Sequence, residues 1–316
     1  MSNELNFLSF AAEVIGPVIL MLAFGYGLYK YGTLNDEFIE RASRLVFNLA
    51  LPALLFSSIS RSSVAQLSDA TVISVGFIGT LGVFAMLLFT VPYLVKQKAD
   101  RGVVIQGAFR SNMGIIGLAY CANAYGPEGL AYASVYMGGL TILYNVLSVV
   151  ALNVYQDKQT SWSKITKDIL TNPIIISIVL GLLVSILQVP IPAIMSNSVE
   201  YFAQLTLPLA LLCAGAALRF STMKANGISA VLSITVKCIV YPFVLVLLAL
   251  QLGVSGMPLM VIYLMAVSPT AAASYVMVRK IGGNHGLAAQ IIAISTVLSV
   301  PITLLGYGFI YPYIYT

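Results

Sequence analysis

Ten apolar segments, separated by short charged loops, leave this 316-residue chain few folds to choose from. They run over about 11–31, 39–60, 70–95, 103–125, 129–155, 171–189, 194–218, 226–252, 257–279 and 285–312, and a membrane-spanning helix needs roughly 20 such residues. No loop is long enough to be a second, water-facing domain. The composition agrees, at 59% hydrophobic and 9% charged, where soluble domains carry about 25% charged residues. Lipid must be the solvent, and in lipid a chain of this pattern satisfies its backbone as helices. The expected fold class is an all-α integral membrane protein with the lipid bilayer as its surroundings.

The net charge of +5 sits in the loops and is too scattered for a phosphate-binding stripe, so no nucleic-acid partner is expected. It reads instead as topology. Alternate loops hold Lys30, Arg41 and Arg44; Lys96, Lys98 and Arg101; Lys158, Lys164 and Lys167; Arg219 and Lys224; and Arg279 and Lys280. The opposite set holds only Arg61, beside Glu128 and Glu200. The positive-inside rule makes the basic loops cytoplasmic and places both termini outside. MSNELNF at the start lacks a positive n-region and no cleavage site follows, so the first span is expected to be retained. Trp162, Tyr307, Tyr311, Tyr313 and Tyr315 suit an interfacial aromatic belt. Cys121, Cys213 and Cys238 fall in apolar segments without CxxC spacing, and neither a disulfide framework nor a metal site is expected.

The chain also resembles itself. Pro17 and Pro173 open the first and sixth spans, and Pro52 and Pro208 sit in LALPALL and LTLPLALL; each pair is 156 residues apart. Gly129 and Gly286, in YGPEGLA and IGGNHGLA, are 157 apart. A near-constant offset close to half the length predicts two five-span repeats, residues 1–156 and 157–316, in one membrane domain. Five is odd, so the second repeat enters from the other side and the repeats are inverted.

Two spans carry costly interruptions at corresponding depth. RSNMGIIG (110–117) breaks the fourth with Ser111, Asn112, Gly114 and Gly117, and VSPTAAA (267–273) breaks the ninth with Ser268, Pro269 and Thr270. The repeat offset pairs Ser111 with Ser268 and Asn112 with Pro269. Proline lacks an N–H and clashes with the turn before it. Paired broken helices are the sequence pointer to a transporter's central site. Exposed backbone at that depth requires burial in protein or a water-filled cavity, which crossed breaks would supply. Their half-helix N-termini favour an anion.

LPALLFS (51–57), SNMGIIGLAYCANAYG (111–126), NPIIISIVLGLL (172–183), LPLALLCAGAAL (207–218) and SPTAAASYVMVRKIGG (268–283) together resemble the auxin efflux carrier family across essentially the whole chain. The resemblance implies ten spans in two inverted five-helix repeats, with broken helices 4 and 9 crossing, and an organic-anion substrate such as auxin or a small dicarboxylate. Residues 156–170 alone separate the halves, so the resemblance is to compact, bacterial-type members, implying the plasma (inner) membrane. It also implies that an asparagine at the crossing touches substrate carboxylate. Asn112 matches it, while the second such position is Pro269.

Two ionisable residues lie deep in spans: Arg110 and Lys237. No Asp or Glu lies as deep; Glu13 comes nearest. Intramembrane charges are functional candidates by default. Two cations without an acid partner predict that the counter-charge arrives with the substrate. Alternatively Arg110 snorkels to the interface and Lys237 is a structural latch. The candidate substrate-binding set is Asn112, Ser111, Arg110, Gly114, Asn145, Lys237, Ser268, Pro269 and Thr270. Asn112 either contacts substrate or satisfies the broken backbone. Ser111, Ser268 and Thr270 either coordinate a cation or cap half-helices, and Asn145 either lines the cavity or bridges helices. Pro52 and Pro208 are candidate hinges that open cavity space.

The expected function is a secondary transporter of a small organic anion working by alternating access. It would use no cofactor, with Na+ or H+ as a conceivable coupling ion and a homodimer as a conceivable assembly. The alternatives are a sodium-coupled symporter of the bile-acid type and a non-transport membrane sensor. An enzyme would need a nucleophile with its base, a metal cluster or paired acids in the spans. The single histidine, His285, sits beside a cytoplasmic loop.

Overall fold

A computed structural model describes residues 9–62, 70–156, 161–218 and 227–313, apart from the side chain of Lys164. Lys158, Arg219, Lys224 and Tyr315, used above for topology and the aromatic belt, lie outside the described residues. The described residues are helical, with one isolated antiparallel β-bridge, Ser111 to Thr270. Among the described residues, seven helices are long and apolar enough to cross a membrane: Ala11–Lys30, Asp36–Ser60, Ala70–Leu94, Met113–Tyr155, Ala193–Ala216, Gly227–Gln251 and His285–Tyr313. Pro173–Leu187 and Gly256–Val267 are apolar but shorter.

Met113–Tyr155 has 43 residues. A straight helix of that length would run about 65 Å, twice the roughly 30 Å hydrocarbon core. Gly126 divides it, with φ 58° and ψ −144°, and Pro127 follows. That backbone conformation is closed to residues with a Cβ, so two helices meet here, as the expected boundary between 125 and 129 required. The expected fourth span divides at its break into Lys98–Phe109 and the helix from Met113. The expected ninth divides into Gly256–Val267 and Ala273–Ile281.

Three prolines sit two residues beyond a π-turn. Ala11–Ile15 precedes Gly16-Pro17, Val46–Ala50 precedes Leu51-Pro52, and Val236–Val240 precedes Tyr241-Pro242. A proline cannot donate to the carbonyl four residues back and its ring crowds that carbonyl. The wider turn relieves the conflict while the helix continues. Pro17 therefore does not open its span as expected, because helix precedes it. Pro173 does open one, capped by Asn172, whose Oδ1 accepts from the Ile174 N–H at 3.0 Å. Pro208 lies inside the continuous helix Ala193–Ala216 with no π-turn before it.

The chain forms two compact units, each drawing segments from both halves. The first takes described residues within 1–70, 114–138 and 163–217. Here Ala11–Lys30 packs on Ala193–Ala216, and Pro173–Leu187 packs on Leu51–Ser60. The approach is close enough that glycine is required. A Cβ on Gly25 would run into the backbone of Leu212 and Ala216, and one on Gly181 would press on the Phe56 carbonyl and Ile59. Cys213 packs with Leu34, Ile39, Ala42 and Ala216, and the three cysteines are free and buried. Glu200 accepts from Ser57 at 2.9 Å and pairs with Arg61 at 3.2 Å.

The second unit takes described residues within 71–113, 139–162 and 218–316. Gly227–Thr235 packs on Lys98–Phe109 and on His285–Ile310, and Tyr241–Gln251 packs on Gly256–Val267. Its interior holds Phe109, Tyr241, Ile105 and Leu87, all inaccessible. Phe89, Leu305 and Phe309 are exposed, the pattern of a spanning helix that turns apolar side chains to lipid.

Candidate functional site

Both helix breaks belong to the second unit, and there they cross. The Asn112 N–H donates to the Pro269 carbonyl at 2.7 Å, and the Ala271 N–H donates to the Arg110 carbonyl at 2.9 Å. These reciprocal bonds flank the Ser111–Thr270 bridge. Four backbone groups that no helix could satisfy are thereby paired with one another, which settles the cost of breaking helices in an apolar interior. The bridge sets Ser111 opposite Thr270, and the backbone of Asn112 meets that of Pro269 where the two breaks cross.

Arg110 caps the first half-helix, its N–H donating to the Gln106 carbonyl at 3.1 Å. It is 8% exposed and does not snorkel. Its guanidinium reaches across to the second half of the divided helix, donating to the Tyr144 carbonyl at 3.1 Å, Ser148 Oγ at 3.0 Å and Asn145 Oδ1 at 2.8 Å. Asn145 therefore makes an interhelical hydrogen bond. The Arg110 Nε is buried with no partner among the described residues.

Lys237 is completely buried, in the π-turn Val236–Val240. Its Nζ donates to Ser111 Oγ at 2.6 Å and to the Ala266 carbonyl at 2.5 Å, and lies 4.7 Å from the centre of the Tyr241 ring. Ala266 is in the last turn of Gly256–Val267, where carbonyls lack helical partners and the dipole is negative. The ion pairs among the described residues are Glu37–Arg41, Glu40–Arg44 and Arg61–Glu200, and they include neither Arg110 nor Lys237.

The remaining hydroxyls turn inward. Ser111 Oγ donates to the Ala266 carbonyl at 3.2 Å, Ser268 Oγ to the Met265 carbonyl at 2.7 Å, and Thr270 Oγ1 to the Gly107 carbonyl at 2.7 Å. The Thr270 N–H donates to Ser295 Oγ at 3.1 Å. Asn112 differs from all of these. It is 9% exposed, and its side-chain amide has no hydrogen-bond partner among the described residues. Two donors and an acceptor are left open at the start of the helix Met113–Tyr155.

The structure thus gathers Arg110, Ser111, Asn112, Asn145, Lys237, Ser268, Pro269 and Thr270 around one crossing. Gly114, Pro52 and Pro208 belong to the other unit. A Cβ on Gly114 would meet Leu51 and Met137 there, each at 3.4 Å. Sequence reasoning passed over Tyr144, Ser148, Tyr241, Thr80 and Ser295. The Tyr241 hydroxyl bonds to Tyr144 Oη at 2.6 Å and Thr80 Oγ1 at 2.8 Å. A signal existed: Tyr144 and Ser148 are one helical turn apart, as are Lys237 and Tyr241, so each pair shares a face.

The sequence profile described as "Membrane transport protein" matches residues 10–307. An uncharacterized transporter of Methanothermobacter thermautotrophicus is 24% identical over 291 residues, covering 92% of this chain and 95% of the relative. A Rhizobium meliloti protein named "Putative malonate transporter" is 27% identical, covering 92% and 93%. An uncharacterized transporter of Escherichia coli K12 is 22% identical, covering 84% and 86%.

Proposed function

The chain is a multi-pass membrane protein of the membrane transport protein family, the auxin efflux carrier family that its motifs resemble, and from that premise we propose that it carries a small organic anion through the helix crossing by alternating access. The observation that carries this reading is the charge imbalance at the crossing. Arg110 and Lys237 are buried with only neutral oxygens as partners among the described residues, beside the open amide of Asn112. Buried cations without an acid partner are expensive, and a carboxylate substrate would supply the missing charge. The Arg110 Nε has a donor to spare and the Asn112 amide can donate to a carboxylate oxygen. A short dicarboxylate has the chemistry for such a pair, and the Rhizobium relative's name points to the same class.

In this reading the chain has ten spans as two inverted repeats, in the plasma membrane with both termini outside. Support comes from a reciprocal contact in the first unit. Gly25 packs on Leu212, and Gly181 packs on Phe56. Adding 156 to the first position of the one pair gives Gly181, and subtracting 156 from the other gives Phe56, the offset of the proline motifs. A chance recurrence of prolines would not return matched contacts.

The test is flux. In proteoliposomes holding the purified full-length protein, labelled malonate or another C3–C5 dicarboxylate is expected to exchange or accumulate above protein-free vesicles. Absence of flux across a panel of mono- and dicarboxylates would overturn the anion assignment.

A further inference from the structure

A cation that couples to transport needs oxygen ligands not already committed. The crossing offers oxygens from Ser111, Ser268, Thr270 and the last-turn carbonyls of the half-helices, and the hydroxyls among them are already engaged. Ser268 Oγ is turned to Met265, Thr270 Oγ1 to Gly107, and Ser111 Oγ together with the Ala266 carbonyl holds the Lys237 ammonium at 2.6 and 2.5 Å.

We propose that the Lys237 ammonium is the resident cation of the crossing: it occupies, as a tethered group, the place a coupling sodium ion would take, so the cycle needs no sodium. The charge sits at a helix C-terminus, where orphan carbonyls attract a cation. The ammonium bonds to one oxygen from each break, Ser111 on the first and Ala266 on the half-helix before the second, so it ties both together as a bound ion would. A second cation within a few ångströms would meet like-charge repulsion in a low-dielectric interior, with no carboxylate among the ion pairs of the described residues to offset it. The Tyr241 ring closes a further side of the ammonium through its negative face.

The inference rests on the crossing being the transport site, but its test needs no substrate, so the two can fail separately. The full-length protein in detergent is unfolded by heat in choline chloride and in sodium chloride at equal ionic strength. The wild type is expected to unfold within about 1 °C in the two salts, while Lys237→Ala, which leaves the oxygens and empties the cavity, gains roughly 5 °C from sodium or methylammonium at about 150 mM. Lys237→Met, whose thioether refills the space, is expected to gain nothing. A saturable sodium stabilisation of the wild type overturns the proposal, and so does a folded Lys237→Ala indifferent to both cations. If Lys237→Ala does not fold, the wild-type comparison decides.

Discussion

The two breaks cross at one point and do different work. The first, Arg110 to Asn112, sends its side chains outward: Arg110 to the helix carrying Tyr144, Asn145 and Ser148, Ser111 to Lys237, and Asn112 to no partner among the described residues. In the second, Ser268 turns to Met265 on its own half-helix, and Thr270 turns to the Gly107 carbonyl on the half-helix before the first break. Pro269 contributes an acceptor and no donor. The first break supplies chemistry and the second supplies shape. A proline can interrupt a helix through its backbone alone. A break made with serine and asparagine leaves polar side chains that must find partners or a ligand.

The hardest test of this contrast is Lys237, the residue that bonds to both sides. Lys237→Met keeps the volume and removes the charge and two hydrogen bonds. Uptake of the dicarboxylate found to be a substrate is expected to fall about 100-fold, the scale of a lost charged contact of roughly 3 kcal/mol. The protein should still elute as a folded species in detergent, since burying a methionine in an apolar interior is tolerated. Full activity in this variant would make the ammonium a structural ornament and remove the link between the breaks.

Next in size is Asn112→Ala. The amide has no partner to lose among the described residues, so the fold should be indifferent. The apparent substrate KM should rise roughly tenfold for one lost hydrogen bond to a charged group. An unchanged KM with normal expression would take Asn112 out of the site and leave Arg110 as the first break's one open donor.

How much of this was legible in the sequence depends on range. The breaks were visible because Asn112, Gly114 and Pro269 are the wrong residues for a smooth apolar helix, a local signal. Arg110 and Lys237 stood out because charge in such a segment is rare. The partners were not visible. Lys237 meets Ser111 across 126 positions of chain, and no periodicity in one helix reveals which neighbour it faces. Nothing in the sequence marks the bond between the hydroxyls of Tyr144 and Tyr241, which lie 97 positions apart. Motif spacing, measured at prolines and glycines in the flanking helices, does not tell which residues face each other at the crossing, where Ser111 meets Thr270. The π-turns before Pro17 and Pro52 were hidden for a related reason. A proline reveals that a carbonyl must be avoided, but not whether the helix starts there or widens around it.

The smallest effects separate the two breaks most cleanly, because one substitution can be made on each side. Ser111 and Ser268 looked like counterparts in the sequence. In the structure Ser111 Oγ is an acceptor for Lys237, while Ser268 Oγ only caps its own half-helix. Ser111→Ala leaves the ammonium one oxygen short in a dry interior, and uptake is expected to drop about threefold to tenfold, for a lost bond near 1 kcal/mol. Ser268→Ala removes a local bond to the carbonyl three residues back, and uptake should stay within roughly twofold. Equal losses would mean that the two serines are equivalent after all and that both breaks share the chemistry. A larger loss at Ser268 would reverse the assignment, making the proline side the one that meets the substrate.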